Sequence, residues 1–253
     1  MTKQRGVTLL ELLVVITLLG LVSLGLVSSL RIGSSAWRRG NARLAADRRV
    51  VAATDLLSAQ LANAQARPVR WGPATSSANR AFDSSADREV RFAYFDGAPD
   101  RLRFLSTYSL EARSRGGLWL AEYFFVRKES ETCDLLYNEW PFRDDRDVAS
   151  TVRAAGYDIT RGRQRVDFAP AARTASTREL YRGLRQCHFE YLTEPADFSP
   201  SREERQESFW APEWETNAKF LPKAVAARFV GTEAGGIAPV GIVATLHVRE
   251  IAP

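Results

Sequence analysis

The first thirty residues divide into a short basic leader and a long apolar stretch. Residues 1–6 contain Lys3 and Arg5, whereas residues 7–30 contain only one ionisable side chain, that of Glu11. About 20 apolar residues are enough for a helix to cross a bilayer, so this length predicts a membrane anchor. A carboxylate at the bilayer centre costs about 2.5–3.5 kcal/mol on insertion scales. Glu11 therefore needs a partner or a shallow position.

Two simpler interpretations explain less of this stretch. A secretory signal has an apolar run of about 7–15 residues before its cleavage site, but residues 7–27 are longer than that and include Glu11. A plain transmembrane anchor fits the length, and Lys3 and Arg5 would hold the N-terminus in the cytoplasm. That interpretation leaves Gly6 and Glu11 without a role.

Residues 31–66 predict an amphipathic continuation of the same helix. They contain no Pro, and their apolar positions recur at heptad or helical spacing. These positions are Trp37, Leu44, Val50, Val51, Leu57, Leu61 and Ala64. Pro68 disfavours helical backbone at Arg67, so the helix should end near Ala66. The two stretches together predict one continuous helix from about Thr8, with an apolar stripe narrow enough to pack on a sheet.

The remainder of the chain predicts short strands separated by turn residues. The candidate strands are residues 89–95, 101–106, 118–126, 133–137, 163–168, 184–192, 221–229 and 240–248. Loops are expected at residues 71–87, 142–160 and 195–215, and a turn at residues 96–100. No second domain boundary is convincing. The predicted fold class is α+β, with a long N-terminal helix packed on an antiparallel sheet of about eight strands.

Charge distribution argues against nucleic acid as a partner. The chain has 35 Lys and Arg against 30 Asp and Glu, a formal net charge of +5. Two of the basic residues lie in residues 1–6, so loss of that leader would leave +3. The arginines are scattered among acidic residues rather than clustered, which is not the pattern of a nucleic-acid-binding face.

The two cysteines leave two alternatives open. Cys133 and Cys187 both follow the anchor, which would place them outside the cytoplasm, where disulfides persist. They form a bridge, or each is buried as a small apolar residue. Their spacing does not match a metal site.

Catalytic patterns are not found in the sequence. His188 and His247 both fall in strand patterns, where a lone histidine is usually a packed or surface residue. No nucleophile turn of the Gly-x-Ser-x-Gly type and no Gly-rich phosphate loop is present. We therefore expect no enzyme activity, no catalytic residues, no cofactor and no metal.

An acidic cluster and two late tryptophans are the remaining candidates for a functional role. Asp144, Asp145 and Asp147 lack the spacing of a calcium loop, and the arginines between them favour a solvated charged loop. Trp210 and Trp214 mark either a contact surface, where aromatic residues are enriched, or a loop folded back on the core.

The residues around the leader resemble the type IV prepilin signature. Gly6-Val7-Thr8-Leu9-Leu10-Glu11 corresponds to the usual Gly-Phe-Thr-Leu-x-Glu, with Val7 in place of Phe. The resemblance implies that a prepilin peptidase cuts between Gly6 and Val7 and methylates the new amine of Val7. It also implies that residues 7–30 remain as a membrane anchor and later as a filament core. Glu11 would then neutralise the N-terminal amine of a neighbouring subunit.

The head, residues 31–253, is most similar to the J-type minor pseudopilins of type II secretion systems. The shared landmarks occur in one order along the chain: residues 33–40, 95–97, 102–106, 116–118, Tyr123, residues 184–191, Trp210, Trp214 and residues 221–225. The long loops at residues 71–87, 142–161 and 195–209 depart from the pattern. No single landmark is specific, but their order is.

The resemblance implies a location and a set of partners. The chain would be a single-pass protein of the bacterial inner membrane with its head in the periplasm, and would later sit at the tip of a pseudopilus. Its partners would be the prepilin peptidase, the I- and K-type minor pseudopilins and the major pseudopilin. Two alternatives stay open: a minor pilin of a type IV pilus or competence pseudopilus, and a membrane-anchored envelope hydrolase or binding protein.

Overall fold

The structure is a computed structural model that describes residues 9–72, 90–111, 117–158, 163–193, 208–214, 220–230 and 242–246. The chain separates into two compact units, residues 1–48 and residues 49–253. The predicted loops at residues 71–87 and 195–215 lie largely outside the described residues, and so does His247.

The described elements form an α+β protein with one long helix before a set of antiparallel strands. In chain order they are α1 (Leu9–Ala62), β1 (Pro68–Trp71), β2 (Val90–Ala93), β3 (Phe95–Ala98), β4 (Arg101–Ser106), β5 (Leu118–Arg127), β6 (Cys133–Phe142), a 3-10 turn (Ala149–Thr151), β7 (Val152–Asp158), β8 (Arg163–Phe168), β9 (Arg178–Thr193), β10 (Phe209–Ala211), β11 (Ala224–Val230) and β12 (Ile242–Thr245). This is a pilin-like architecture, and it confirms the predicted fold class.

The first unit is helical throughout its described residues. Two hydroxyl groups in the apolar half bond to carbonyls of the preceding turn: Thr17 Oγ1 to the Leu13 and Val14 oxygens, and Ser23 Oγ to the Leu19 oxygen. Such bonds satisfy a hydroxyl without water. These polar residues are therefore compatible with an apolar surrounding.

The second unit is built on a sheet in the order β12-β11-β9-β6-β5-β4-β3, with β10 also paired to β9. The longest ladder joins β5 and β6, from Leu118 opposite Phe142 to Arg127 opposite Cys133. Two smaller pairs, β1 with β2 and β7 with β8, lie outside this sheet. All the described pairings are antiparallel.

Strand β9 changes neighbours in its middle. Its first part pairs with β6 and its second part with β11. Between the two parts, Gly183 and Gln186 have positive φ values of 65° and 54°, a backbone region that glycine adopts readily and glutamine rarely. The disulfide between Cys133 and Cys187 closes at this bend, with the two Cα atoms 6.5 Å apart.

The main core lies between the last turns of α1 and one face of the sheet. Leu57, Leu61 and Ala64 are buried in one cluster with sheet aromatics such as Phe104 and Tyr123. The predicted apolar stripe is therefore confirmed over this part of the helix. It is wrong for Trp37 and Val51, which are exposed, while the side chains of Leu44 and Val50 lie outside the described set.

The helix ends at Ala62, four residues before the predicted Ala66. The chain leaves the helix to pair with the end of β4: Ala64 forms a bridge with Ser106, and the Gln65 amide donates to the Leu105 oxygen at 2.8 Å. Pairing with the sheet thus ends the helix before Pro68 can.

A second layer covers the other face of the sheet. The stretch 142–160, predicted as a loop, contains the 3-10 turn and β7. Val148, Val152 and Phe168 pack there against Tyr94 and Leu120 in a second buried cluster. The prediction failed because this stretch is rich in charges and its few apolar residues do not alternate.

The strand count is also higher than predicted. Twelve strands are described, and β1, β7 and β10 fall outside the predicted ones. The turn predicted at residues 96–100 is instead β3 followed by a tighter turn at Pro99 and Asp100, because Phe95–Ala98 pairs with β4. Strand β6 runs five residues past Tyr137, its predicted end.

Candidate functional site: the N-terminal helix and its attachment

The apolar half of α1 is a continuous exposed hydrophobic surface. Between Leu9 and Ile32 its large apolar side chains are 46–83% exposed. Residues Leu9–Asn41 form one helix that is long and apolar enough to cross a membrane, with a mean hydropathy of 2.5 and none of that window buried within the molecule. Burying apolar area is worth about 25 cal/mol per Å². Lipid or other protein helices must therefore cover this surface.

Glu11 lies in the first described turn of α1. Its side chain is in an exposed position of the helix. A carboxylate in a first turn interacts favourably with the helix dipole, so the helix tolerates Glu11 near its N-terminus. Gly6 and Val7, the predicted processing residues, lie outside the described residues, and the roles predicted for these three residues remain predictions.

Residues 1–27 match the family model of the prokaryotic N-terminal methylation motif. This match supports a type IV prepilin-like protein. The motif implies processing by a prepilin peptidase and assembly with other pilin-like proteins. The single apolar helix near the N-terminus is consistent with a single-pass membrane anchor. No curated protein and no solved structure matches the chain.

The end of the helix is attached to the sheet through Gln60, which is fully buried. Its Nε2 donates to the Tyr137 hydroxyl at 2.7 Å, and its Oε1 accepts from the Tyr123 hydroxyl at 2.5 Å. The Ser106 hydroxyl donates to the Gln60 carbonyl at 2.9 Å. Burial raises the pKa of Tyr123 well above its usual value, so Tyr123 stays protonated and donates. These bonds fix the last turns of α1 on the sheet.

An ionic network is buried beneath the second layer of the head. Arg103 Nε donates to Glu122 at 2.5 Å and its Nη1 to Asp96 at 2.9 Å, and all three side chains are buried. Arg101 also binds Asp96, at 2.5 Å. Removing water from charges is costly unless each is paired, and here the two carboxylates share two guanidinium groups.

The network also holds residues 169–177, which we call the strap, onto the sheet. Arg103 Nη1 donates to the Ala169 oxygen at 2.7 Å, and Asn138 Nδ2 donates to the Ala172 oxygen at 3.0 Å. Asn138 also binds Glu122, and the Thr177 hydroxyl donates to Asn138 Oδ1 at 2.6 Å. Polar groups of the strap therefore complete the network.

Sequence reasoning missed both the network and Gln60. Arg103 and Glu122 alternate with buried residues along predicted strands, which indicates that they lie on the opposite face of the sheet. That face would be solvated without a second layer, and of that layer the sequence predicts only residues 163–168 as a strand and residues 142–160 as loop. Burial of the network therefore followed from an element that the sequence pattern did not reveal.

A further buried carboxylate, Asp134, supports the bend in β9. It accepts from Lys128 Nζ at 2.6 Å and from the Gly183 amide at 3.0 Å. Burial tends to raise the pKa of Asp134, but the Lys128 ammonium and the Gly183 amide outweigh it, and the pKa lies below its usual value. Ionised Asp134 thus fixes the left-handed Gly183.

The two tryptophans and the histidine singled out in the sequence do not form a common site. Trp214 is 4% exposed and packs in the main core, whereas Trp210 is 37% exposed, with the Arg228 guanidinium 5.9 Å from its ring centroid. The explanation of a loop folded back on the core is therefore confirmed for Trp214, while a contact surface at Trp210 stays a prediction. His188 is a surface residue whose Nε2 lies 3.3 Å from Glu190.

The acidic cluster forms local turns in an exposed segment. Asp147 accepts from the Arg143 and Asp144 amides, and Asp144 accepts from the Arg146 amide at 2.8 Å. Asp145 instead binds Arg70 at 3.5 Å. The prediction of a solvated charged loop is confirmed for this segment.

Proposed function

We propose that this chain is a minor pseudopilin of a type II secretion system, similar to the J-type subunits, and that it acts as a structural component of the pseudopilus tip. The observation that carries the proposal is the methylation motif at residues 1–27 on a helix that continues into an α+β head. The order of head landmarks noted in the sequence supports the J type over other minor subunits. In this role the chain is not an enzyme and uses no cofactor.

The proposed mechanism is physical. The peptidase removes residues 1–6, and residues 7–30 hold the subunit in the inner membrane with its head in the periplasm. Extraction into the pseudopilus exposes no apolar area to water if neighbouring helices replace the lipid. Glu11 pairs with the N-terminal amine of a neighbour, which offsets the cost of burying either charge alone.

The mass of the protein extracted from membranes tests the processing step. We expect a mature chain that lacks residues 1–6 and carries one added methyl group. Gly6→Leu should accumulate as the unprocessed precursor, whereas Gly6→Ala, which keeps a small residue, should be processed in part. An intact N-terminus in the natural protein, or cleavage after residue 30, would refute the proposal.

Co-purification tests the system. We expect the mature protein to be captured with the I- and K-type minor pseudopilins of its own cell. Capture with pilus subunits instead would favour a minor pilin. Recovery of a processed protein that binds none of these subunits would contradict an assembly role.

A further inference from the structure

The segment that follows the apolar run carries a concentrated positive charge. Residues 31–49 contain six Arg, one Asp and no Lys or Glu, a formal charge of +5. This equals the formal net charge of the whole chain, so the charges of all other residues sum to zero. The expectation that arginines are scattered among acids is therefore wrong for this segment.

If residues 7–30 cross the bilayer, Arg31 falls in the lipid headgroup layer, whereas Arg38 and Arg39 lie just beyond that layer. Arg31 directly follows Leu30, and Arg38 and Arg39 are about 12–14 Å further along the helix at 1.5 Å per residue. The polar layer of a bilayer is about 5–8 Å thick on each side. Helical side chains lean toward the N-terminus, so the long arginine side chains of Arg38 and Arg39 reach back toward the membrane.

Four residues at the start of the segment are available for contact in the structure. Arg31, Trp37, Arg38 and Arg39 are all exposed, and Trp37 is 72% exposed. Among the contacts of described residues, these arginines have only the bond from Arg39 Nη2 to Ser35 Oγ, at 3.4 Å, and no ion pair. Their charges are thus not neutralised by the described part of the chain.

We propose that Arg31, Trp37, Arg38 and Arg39 form an interfacial collar that binds anionic phospholipid headgroups on the head side of the membrane. Guanidinium groups bind phosphate through two parallel hydrogen bonds, and tryptophan is enriched at membrane interfaces. The collar requires only that residues 7–30 cross the bilayer, and it rests on that part of the proposed function alone.

Lipid retention by the full-length protein tests the collar. Protein purified in detergent is incubated with equal amounts of phosphatidylglycerol and phosphatidylcholine, and retained lipids are counted by native mass spectrometry. The natural protein should retain phosphatidylglycerol preferentially. The double variant Arg38→Gln/Arg39→Gln should lose about 30-fold of that preference, since each arginine near the surface contributes about fivefold.

The double variant Arg48→Gln/Arg49→Gln is the matched control. It removes the same charge, but Arg48 lies about 27 Å past Leu30 along the helix, so lipid preference should be kept. An equal loss in both variants, or no preference in the natural protein, would overturn the collar. Unchanged lipid preference with lost capture of other subunits would also overturn it, because the arginines would then face a protein.

Membrane fractionation separates the two proposals. If the natural protein is not in the membrane fraction, the anchor itself fails. If all variants stay in the membrane and only the lipid preference is absent, the anchor stands and the collar is wrong.

Discussion

At the scale of single residues, Arg103 is the position on which the second layer of the head most depends. It joins carboxylates of β3 and β5 and also donates to the strap. A buried pair contributes little net stability, but removing one partner leaves the other charged and unpaired, at a cost of about 3–5 kcal/mol. The net stabilisation by Arg103 is therefore smaller than the cost of the unpaired buried carboxylates that its removal would leave.

Arg103→Met should lower the free energy of unfolding by about 3–5 kcal/mol. The measurement is urea denaturation of the full-length protein in detergent, followed by tryptophan fluorescence. Arg228→Met makes the same chemical change at an exposed pair with Glu190 and should cost about 1 kcal/mol or less. Equal effects of the two substitutions would show that the network is not buried in solution.

Asp134 should make the stability of the head depend on pH. Its pKa is lower in the folded state than in the unfolded chain, so its contribution is present above the unfolded value of about 3.9 and is lost as pH falls through the folded pKa. Asp134→Asn should cost about 1–3 kcal/mol at pH 7, and the difference from the natural protein should shrink below about pH 4. The check is urea denaturation from pH 7 to pH 2.5. A difference that stays constant over this range would rule out the ionised carboxylate as the cause.

At the scale of elements, the sequence predicts those strands whose own residues alternate or are strongly apolar. Residues 101–106, 118–126 and 163–168 are close to β4, β5 and β8 for this reason. The first part of β9 has exposed charged side chains at Arg178, Glu179 and Arg182, and its pairing with β6 rather than a clear alternation makes it a strand. Strand β7 depends in the same way on β8.

The buried network was beyond sequence reasoning for a related reason. Whether a charged residue on a strand is solvated depends on what lies above it. The layer above this face of the sheet includes β7 and the strap, and these two come from stretches with weak local signals. Long-range packing, which a single sequence does not reveal, decides whether this layer forms and whether Arg103 is buried beneath it.

The disulfide should stabilise the bend of β9. Its two cysteines are 54 residues apart. A cross-link over a loop of that size lowers the entropy of the unfolded chain and so stabilises the folded state by about 2–4 kcal/mol. The double variant Cys133→Ala/Cys187→Ala should lose about that much stability, and reduction of the natural protein should have a similar effect. Reduction should leave the unfolding curve of the double variant unchanged, which is the internal control.

The head should fold without the apolar half of α1. A chain that begins at Arg31 keeps Leu57 and Leu61, which are buried against the sheet, and omits the exposed apolar run. Circular dichroism should show mixed helix and strand with one cooperative thermal transition. Aggregation, or a transition without cooperativity, would contradict a self-sufficient head.

At the scale of the whole molecule, charge does not by itself orient the anchor. Lys3 and Arg5 precede the apolar run, but six Arg follow it within residues 31–49. The positive-inside rule counts short flanks of this kind, so Lys3 and Arg5 alone do not decide which side the N-terminus takes. The orientation that we propose therefore rests on the methylation motif, which is processed on the cytoplasmic side in prepilins.

Glu11→Leu should separate anchoring from assembly. Removing a carboxylate makes residence in lipid more favourable, so membrane fractionation and cleavage after Gly6 should be normal. The same change removes the only charged side chain of residues 7–30, so capture with other minor pseudopilins should fall. The comparison is co-purification at equal membrane levels, and full capture by the variant would leave Glu11 with no role in pairing.

The uncovered surface of α1 has a practical consequence for anyone who detects this protein in extracts. A single chain that still carries Leu9 to Ile32 exposes those side chains to plain water, because nothing in the described molecule covers them. A monomer in a detergent-free supernatant is therefore expected to be a proteolytic fragment. Because Ala53 is the first residue of the helix whose described side chain is buried, a cut between residues 32 and 53 should release an intact head, and the fragment's mass would identify the cleavage site.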